Sequence, residues 1–126
     1  GIKDRVHMMG YREDVRKILS QLDVYVQLSR FEGLPVTLLE AVAEECPIVT
    51  TGVGGISDLI VDDRYGWKVE LKDLNQIASA IDDALQGDVT TLTKVEAAKA
   101  KLIEDFSYQD MIDRWSCLLT SMDRKC

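Results

Sequence analysis

The chain has 126 residues, with 15 basic and 22 acidic side chains and a net charge of −7. This length supports one domain or part of a larger one, and the composition, 46% hydrophobic and 29% charged, is ordinary for a soluble folded chain. The acidic balance argues against a nucleic-acid-binding module, because neutralising phosphates requires clustered Lys and Arg. There is no apolar run of roughly 18 residues and no signal-peptide core near Gly1. We therefore expect no transmembrane segment.

Cysteine and histidine usage predicts no metal site. Cys46, Cys117 and Cys126 are an odd number without a framework spacing, so we interpret them as reduced thiols of the cytoplasm. Zinc usually takes four ligands, and the chain offers one histidine and no Cys-x-x-Cys pair. His7 lies in the apolar run 6–9, which predicts a buried or strand-lining residue rather than a catalytic base.

Short apolar segments alternate with segments of helical period along the chain. The predicted elements, in order, are a strand over 6–9, a helix over 12–21, a strand over 23–28, a helix over 36–44, a strand over 47–51, a helical turn over 57–61, an edge strand over 66–69, and helices over 73–87, 93–103 and 107–122. Asp14, Asp73 and Ser107 are the predicted caps, and Gly87 ends a helix. The last helix is predicted to carry an apolar stripe on one face, formed by Met111, Ile112, Trp115, Leu118, Leu119 and Met122. This alternation is typical of an α/β fold with a parallel sheet and helices on its faces.

Ligands of such sheets bind at the carboxyl ends of the strands. The loops expected there are 10–12, 29–35 and 51–55, and two of the three are rich in glycine, which allows close approach to the backbone. Glu32 lies on the second loop, and Glu40 lies on the helix that follows it. Free amides at the start of that helix favour an anion such as a diphosphate. Two carboxylates beside an anion would repel it unless they accept hydrogen bonds from hydroxyls that flank it. We therefore expect a sugar on one side of the anion and a ribose on the other.

Spacing alone does not identify this pair of glutamates. The chain has eight glutamates, and Glu96 and Glu104 repeat the same eight-residue separation. That second pair lies on one polar helical segment without a glycine or proline between its members, which is typical of a solvated helix face. A predicted strand end, Gly33 and Pro35 accompany Glu32 and Glu40.

The segment Phe31-Glu32-Gly33-Leu34-Pro35, continued by Glu40-Ala41, resembles the donor-binding domain of the retaining glycosyltransferases of family 4. The resemblance includes 23–26 before it and 47–51 with Gly54-Gly55 after it, and runs from about Val6 to the last helix. It implies the GT-B fold, in which two Rossmann-like domains face each other. Three positions depart from the family pattern, namely the turn at 45–46, Asp58 in place of Glu and Leu28-Ser29 in place of Pro-Ser.

The resemblance also implies roles for individual residues. Glu32 takes the catalytic position beside the donor sugar, and Glu40 holds the ribose hydroxyls. The residues expected to contact the donor sugar and phosphate are Glu32, Gly33, Leu34, Pro35 and Val36. The residues expected to border the base are Met9, Gly10, Tyr11 and Arg12, although ordinary loop surface is the alternative for the last two. The nucleotide-sugar is a substrate, and no metal or other cofactor is expected.

The resemblance places the whole chain, 1–126, as the last part of a transferase, expected to act in bacterial polysaccharide or glycoconjugate synthesis. The N-terminal acceptor domain of such an enzyme, two earlier strands and a phosphate-binding Arg and Lys have no counterpart before Val6. We expect this fragment to be inactive alone. The alternative is a non-catalytic module that binds nucleotide weakly or serves as a structural partner. A receiver-type signalling domain is disfavoured, since Met8-Met9-Gly10 lacks the required acidic cluster.

The absent strands also predict association. In the family's strand order the first two strands lie between the third and the fourth, which correspond here to 6–9 and 23–28. Their absence leaves bare strand edges, which pair readily with another chain. We therefore expect a homodimer, with direct pairing of 6–9 and 23–28 as the alternative. The expected location is the cytoplasm, with peripheral attachment of the full-length enzyme to a membrane left open.

Overall fold

A parallel sheet forms the centre of the computed structural model, which describes residues 1–123. Its strands are β1 (Tyr25–Gln27), β2 (Ile48–Thr50) and β3 (Trp67–Lys68), in the order β1-β2-β3. Val26 lies opposite Val49, and Thr50 lies opposite Lys68. The predicted α/β class with a parallel sheet is confirmed, and β3 is an edge strand as predicted.

Six α-helices accompany the strands within the described residues. They are α1 (Val15–Leu19), α2 (Val36–Ala43), α3 (Ile56–Leu59), α4 (Leu74–Leu85), α5 (Val89–Asp105) and α6 (Tyr108–Asp123). A 3-10 turn over Lys3–Arg5 precedes them. None of these helices is long and apolar enough to cross a membrane.

Local capping explains where the two central helices begin and end. The Asp73 carboxylate accepts the amide of Gln76, and Gly87 follows α4 with a φ of +59°, as the sequence predicts. The predicted start of α5 at 93 is wrong. The Asp88 carboxylate accepts the amide of Thr91 and caps a helix that begins at Val89.

The hydrophobic core lies on both faces of the sheet because side chains alternate along β2. Ile48 packs on one face with buried residues of α2, α3 and α5, namely Leu38, Ala41, Val42, Ile56, Leu59 and Ala98. Val49 packs on the other face with buried residues of β3's carboxyl end and α4, namely Val69, Ile77, Ala80 and Ala84. This packing fixes the carboxyl ends of β1 and β2, where the candidate site lies.

The predicted strand over 6–9 is wrong. Val6, His7, Met8 and Met9 are all exposed, Met8 by 93%, and the segment pairs with none of the described strands. A segment this short holds an extended ladder only through its neighbours, and here it has none. The prediction that His7 is buried or lines a strand is therefore wrong as well.

The predicted helix over 12–21 shortens to α1, and its predicted cap does not form. Asp14 occupies the N-cap position of α1, but its carboxylate accepts hydrogen bonds from the guanidinium of Arg12 at 2.8 and 2.6 Å instead of the helix amides.

Helix α6 carries an apolar stripe that stays partly exposed among the described residues. Ser107 Oγ accepts the amide of Asp110 at 3.1 Å, so the predicted cap is confirmed. The predicted stripe is exposed by between 38% and 57% and consists of Met111, Ile112, Trp115, Leu118 and Leu119. The side chain of Met122, predicted to continue it, lies outside the described residues. We call these five residues the α6 stripe.

Candidate functional site

The loop that carries Glu32 joins β1 to α2 and is fastened to the loop after β2. The amide of Ser29 donates to Thr51 Oγ1 at 3.1 Å, and the same hydroxyl donates to the Ser29 carbonyl at 2.7 Å. Thr51 is buried, so this contact is shielded from water. The carboxyl ends of β1 and β2 therefore support the Glu32 loop together, as expected for a strand-end site.

The Glu32 carboxylate is half-buried and held through one oxygen. Its Oε1 accepts hydrogen bonds from Ser29 Oγ at 2.7 Å and from Gln27 Nε2 at 2.9 Å. Gln27 Oε1 in turn accepts from the hydroxyl of Tyr25 at 2.8 Å. No hydrogen bond from residues 1–123 reaches Glu32 Oε2. The carboxylate is thus fixed in direction while one oxygen stays open to a ligand.

Sequence reasoning did not select Tyr25 or Gln27. Both lie on the same face of β1, two residues apart, so the strand's alternation brings their side chains together. A polar Gln at the end of an otherwise apolar strand was the available signal.

Two glycines of the loop after β2 accommodate the Glu32 loop rather than a ligand. A Cβ on Gly54, which has a φ of +53°, would overlap the carbonyl oxygen of Glu32. The amide of Gly55 donates to the Gly33 carbonyl at 2.8 Å, and a Cβ there would also lie 2.8 Å from that oxygen. The interpretation of this glycine-rich loop as room for a ligand is therefore wrong at Gly54 and Gly55.

Gly33 differs from these two glycines. A Cβ added at Gly33 would meet no atom within 4 Å. The backbone of the Glu32 loop is therefore open on this side. Gly33 is also exposed, as are the neighbouring Leu34 and Val36.

The first turn of α2 follows directly. Pro35 occupies the N-cap with a φ of −69°, and its carbonyl accepts the amide of Leu38 at 3.1 Å. The amides of Val36 and Thr37 therefore begin the helix without acceptors in preceding turns, which gives this end a partial positive charge.

Glu40 lies one turn into α2 and is half-buried. Burial raises the pKa of the Tyr25 hydroxyl, and the negative charges of Glu32 and Glu40 both add to this effect. Both carboxylates therefore lie within electrostatic range of one phenol.

The residues predicted to border a base are organised differently. Met9, Gly10, Tyr11 and Arg12 are all exposed, Tyr11 by 90%. The guanidinium of Arg12 hydrogen-bonds Asp14, and that contact raises the pKa of Arg12. Within the described residues this segment has the character of open loop surface.

A cavity of about 650 Å³ opens at the carboxyl ends of all three strands, beside the Glu32 loop. Its lining combines apolar and charged residues, namely Ser29, Arg30, Thr51, Gly52, Val53, Val69, Glu70, Leu71 and Lys72. The position agrees with the rule for parallel sheets. Sequence reasoning did not select Arg30 or Lys72, which add two cations to the lining of this cavity.

Two further observations concern the second glutamate pair and potential metal ligands. Glu96 and Glu104, the pair with the same spacing, are both exposed on α5, so their interpretation as a solvated helix face is confirmed. Among residues 1–123, no group of three or more His, Cys, Asp or Glu side chains is placed to hold a metal ion.

Comparison with protein families agrees with this geometry. A model described as "Glycosyl transferases group 1" matches residues 1–87, which include the Glu32 loop, α2 and all three strands. The chain belongs to this family. The matched region is also the region whose side chains form the site described above.

Curated relatives are similar over most of the chain. The poly(ribitol-phosphate) alpha-N-acetylglucosaminyltransferase of Staphylococcus aureus is 26% identical over 95% of the chain. The UDP-Gal:alpha-D-GlcNAc-diphosphoundecaprenol alpha-1,3-galactosyltransferase of Escherichia coli is 26% identical over 96% of it. The chain spans only 24% and 31% of the length of these two relatives.

A solved structure gives the same result for the fold. The crystal structure of a Staphylococcus aureus TarM mutant in complex with Fondaparinux, alpha-GlcNAc-glycerol and UDP is 26% identical, with a TM-score of 0.82. The similarity covers 93% of this chain and 24% of that one. The chain is therefore a partial GT-B glycosyltransferase domain, as the sequence resemblance predicts.

Proposed function

We propose that this chain is the donor-binding portion of a retaining glycosyltransferase, which transfers a sugar from a nucleotide-sugar to an acceptor in bacterial polysaccharide or glycoconjugate synthesis. The observation that carries the proposal is the Glu32 carboxylate, which is held through Oε1 by Gln27 and Ser29 and lies just before α2. A fixed carboxylate beside a helix N-terminus suits a ligand with hydroxyls next to a diphosphate.

The proposal gives each predicted residue a task. Glu32 accepts a hydroxyl of the donor sugar at the reacting end. The amides of Gly33, Leu34 and Val36 donate hydrogen bonds to phosphate or sugar oxygens. Pro35 sets the direction of the first turn of α2. Glu40 accepts the ribose hydroxyls. Met9, Gly10, Tyr11 and Arg12 border the base once the donor is bound.

The charge of the departing diphosphate is then met by the partial positive charge of α2 and by cations. In a retaining transfer the acceptor hydroxyl attacks from the face that the diphosphate leaves, so this stabilisation acts where charge develops. The proposal requires no metal ion. The proposal includes a cytoplasmic location, where thiols such as Cys46 stay reduced.

The names of the relatives support a uridine nucleotide as the first probe. UDP is present in the Staphylococcus aureus structure, and the Escherichia coli relative is named for a UDP-sugar. In this proposal an N-terminal domain binds the acceptor, so sugar transfer requires the complete enzyme. We expect the 126-residue chain alone to give no transfer above a control without protein.

A non-catalytic module is the second candidate. It is favoured by segment 6–9, which pairs with none of the described strands. Such a module would bind nucleotide weakly without turnover in any polypeptide that contains it. Transfer by a longer polypeptide that includes this chain would exclude it.

Binding of UDP to the chain tests the proposal. We expect a dissociation constant of about 1 mM, or roughly −4 kcal/mol, measured by ligand-detected NMR. Glu40→Ala should weaken binding by about 1.5–3 kcal/mol, because it removes a charge-assisted hydrogen bond to ribose. Glu96→Ala is the matched control and should leave the affinity unchanged. Equal losses from the two variants would contradict the assignment of Glu40.

A further inference from the structure

We propose that Gln27 is a positioning residue for Glu32, whose amide fixes Oε1 of that carboxylate and so directs Oε2 towards a hydroxyl of the donor sugar. This inference rests on the proposed function, because it assumes that a sugar binds beside Glu32. Gln27 itself does not touch the sugar in this account.

The hydrogen bonds that hold Glu32 converge on one oxygen. Gln27 Nε2 lies 2.9 Å from Oε1, and Ser29 Oγ lies 2.7 Å from the same atom. Two donors on one oxygen set both the position of the carboxylate and its rotation. A carboxylate can accept about four hydrogen bonds, so Oε2 keeps its capacity for a ligand.

The Glu32 carboxylate determines which end of the Gln27 amide faces it, because a carboxylate can only accept hydrogen bonds. The hydroxyl of Tyr25 pairs with the other end, at 2.8 Å from Gln27 Oε1, and Tyr25 is half-buried. A glutamate carboxylate can only accept, and the amide oxygen can only accept, so the tyrosine hydroxyl must donate to Gln27 for the amide nitrogen to face Glu32. If the amide turned over, its oxygen would face the carboxylate and the hydrogen bond would be lost.

The role of Gln27 can be separated from the fold. The bonds that join this end of β1 to β2 use the backbone carbonyl of Gln27, which accepts from Thr50 Oγ1 at 2.9 Å and from the Thr51 amide at 3.3 Å. A change of the side chain leaves both intact. Ser29 still holds one side of Oε1, so the loss of Gln27 should leave Glu32 in place but less well directed.

The test compares UDP with UDP-sugars on the full 126-residue chain. Dissociation constants are measured by saturation-transfer NMR for UDP and for UDP-N-acetylglucosamine, UDP-glucose and UDP-galactose, and the UDP-sugar that binds the wild-type chain most tightly is used. The readout is the ratio of the UDP constant to the UDP-sugar constant. This ratio isolates the contribution of the sugar, which a general loss of structure would not change selectively.

Gln27→Met keeps the length of the side chain and removes its donor. We expect the ratio to fall about two- to tenfold, the effect of one hydrogen bond, with UDP affinity within about twofold of wild type. Tyr25→Phe, which removes the hydrogen-bond partner of the Gln27 amide oxygen but leaves the bond to Glu32, should lower the ratio by less. Gln21→Met, at an exposed position without a side-chain hydrogen bond in residues 1–123, is the control and should leave it unchanged.

Glu32→Gln separates this inference from the proposed function. If the ratio falls in Glu32→Gln but not in Gln27→Met, Glu32 binds the sugar and the positioning role of Gln27 is overturned. Equal weakening of UDP and UDP-sugar in Gln27→Met also overturns it, because the role is then purely structural. If no UDP-sugar binds the wild-type chain, or Glu32→Gln leaves the ratio unchanged, the proposed function fails together with the inference.

Discussion

The Glu32 loop and the segment over residues 9–12 are both assigned to one ligand, yet among residues 1–123 only the first is hydrogen-bonded to the loop after β2. The Glu32 loop is bonded to Thr51 and Gly55, and its carboxylate is held by Gln27 and Ser29. The 9–12 segment is exposed throughout. A loop that follows a paired strand and bonds to the loop after the neighbouring strand obtains its geometry from the sheet. A segment without a strand partner has no such support. The sugar end of the proposed site is therefore preorganised, and the base end is not.

Gly54→Ala against Gly10→Ala is the sharpest contrast between the two regions. Both glycines have positive φ, +53° and +63°, but only a Cβ at Gly54 would overlap the backbone of the Glu32 loop. We expect Gly54→Ala to lower the free energy of unfolding by about 2–4 kcal/mol, through steric overlap added to the unfavourable φ. Gly10→Ala should cost only about 1–2 kcal/mol, because its φ is also unfavourable but a Cβ there would meet no atom within 4 Å. Urea denaturation measures both, and equal losses would break the comparison.

Self-association of the chain tests two surfaces that stay partly exposed among the described residues, the outer edge of β1 and the α6 stripe. The outer edge of β1 is unpaired within residues 1–123, Val26 is 41% exposed, and the α6 stripe is partly exposed. We expect the chain to associate to a homodimer, and light scattering should show a mass that rises with concentration above 14.2 kDa. Val26→Lys, on the edge strand, should reduce association. A monomer at every concentration would contradict this expectation.

Cys46 reports on the packing of the core at the amino ends of β1 and β2, the opposite end of the sheet from the Glu32 loop. Burial raises the pKa of its thiol to about 11 from 9.0. A raised pKa means that the unfolded thiol ionises first, so the contribution of Cys46 to stability is full below about pH 9 and is lost as the pH rises to about 11. Tyr25, whose pKa burial also raises, titrates nearby, so the measurement is the difference between wild type and Cys46→Ala.

Denaturation of the two proteins at several pH values gives that difference. Over the same pH interval, wild type should lose more stability than Cys46→Ala. Parallel curves would show that the thiol is not shielded in the folded chain.

Arg12→Ala should have the smallest effect. Arg12 and Asp14 form an exposed pair with an N–O distance of 2.6 Å, and exposed pairs contribute little to stability because water and salt screen them. We expect the urea midpoint to stay close to that of wild type and UDP affinity to change by less than about twofold. A large loss of UDP affinity would show that the 9–12 segment is organised without a strand partner, and the comparison would fail.

The sequence predicted best those elements whose signals are local. Helix α4 carries its own cap at Asp73, an apolar stripe and a terminating Gly87, so its limits follow from neighbouring residues. The strand predicted over 6–9 failed because a strand exists only through its partners, which composition and period cannot supply. The start of α5 was missed because Asp88 directly follows Gly87 and its capping role was overlooked.

The residues of the candidate site also differ in how far local sequence predicts them. Glu32, Gly33 and Glu40 were recognisable because they belong to one contiguous segment. Gln27 and the contact of Gly54 with the Glu32 loop were not, because they depend on how β1 and β2 lie beside each other. The region around a motif is therefore less predictable than the motif itself.

Chemical-shift mapping of UDP binding tests the central claim most directly. The ¹⁵N-labelled chain is titrated with UDP to several millimolar, and amide shifts are followed by residue. The account predicts saturable shifts concentrated at Gly33, Leu34, Val36, Thr37 and Glu40, with none at Glu96 or Glu104. Saturable shifts that avoid residues 32–40, or no saturable shifts at all, would contradict the assignment of this chain as a nucleotide-sugar donor site.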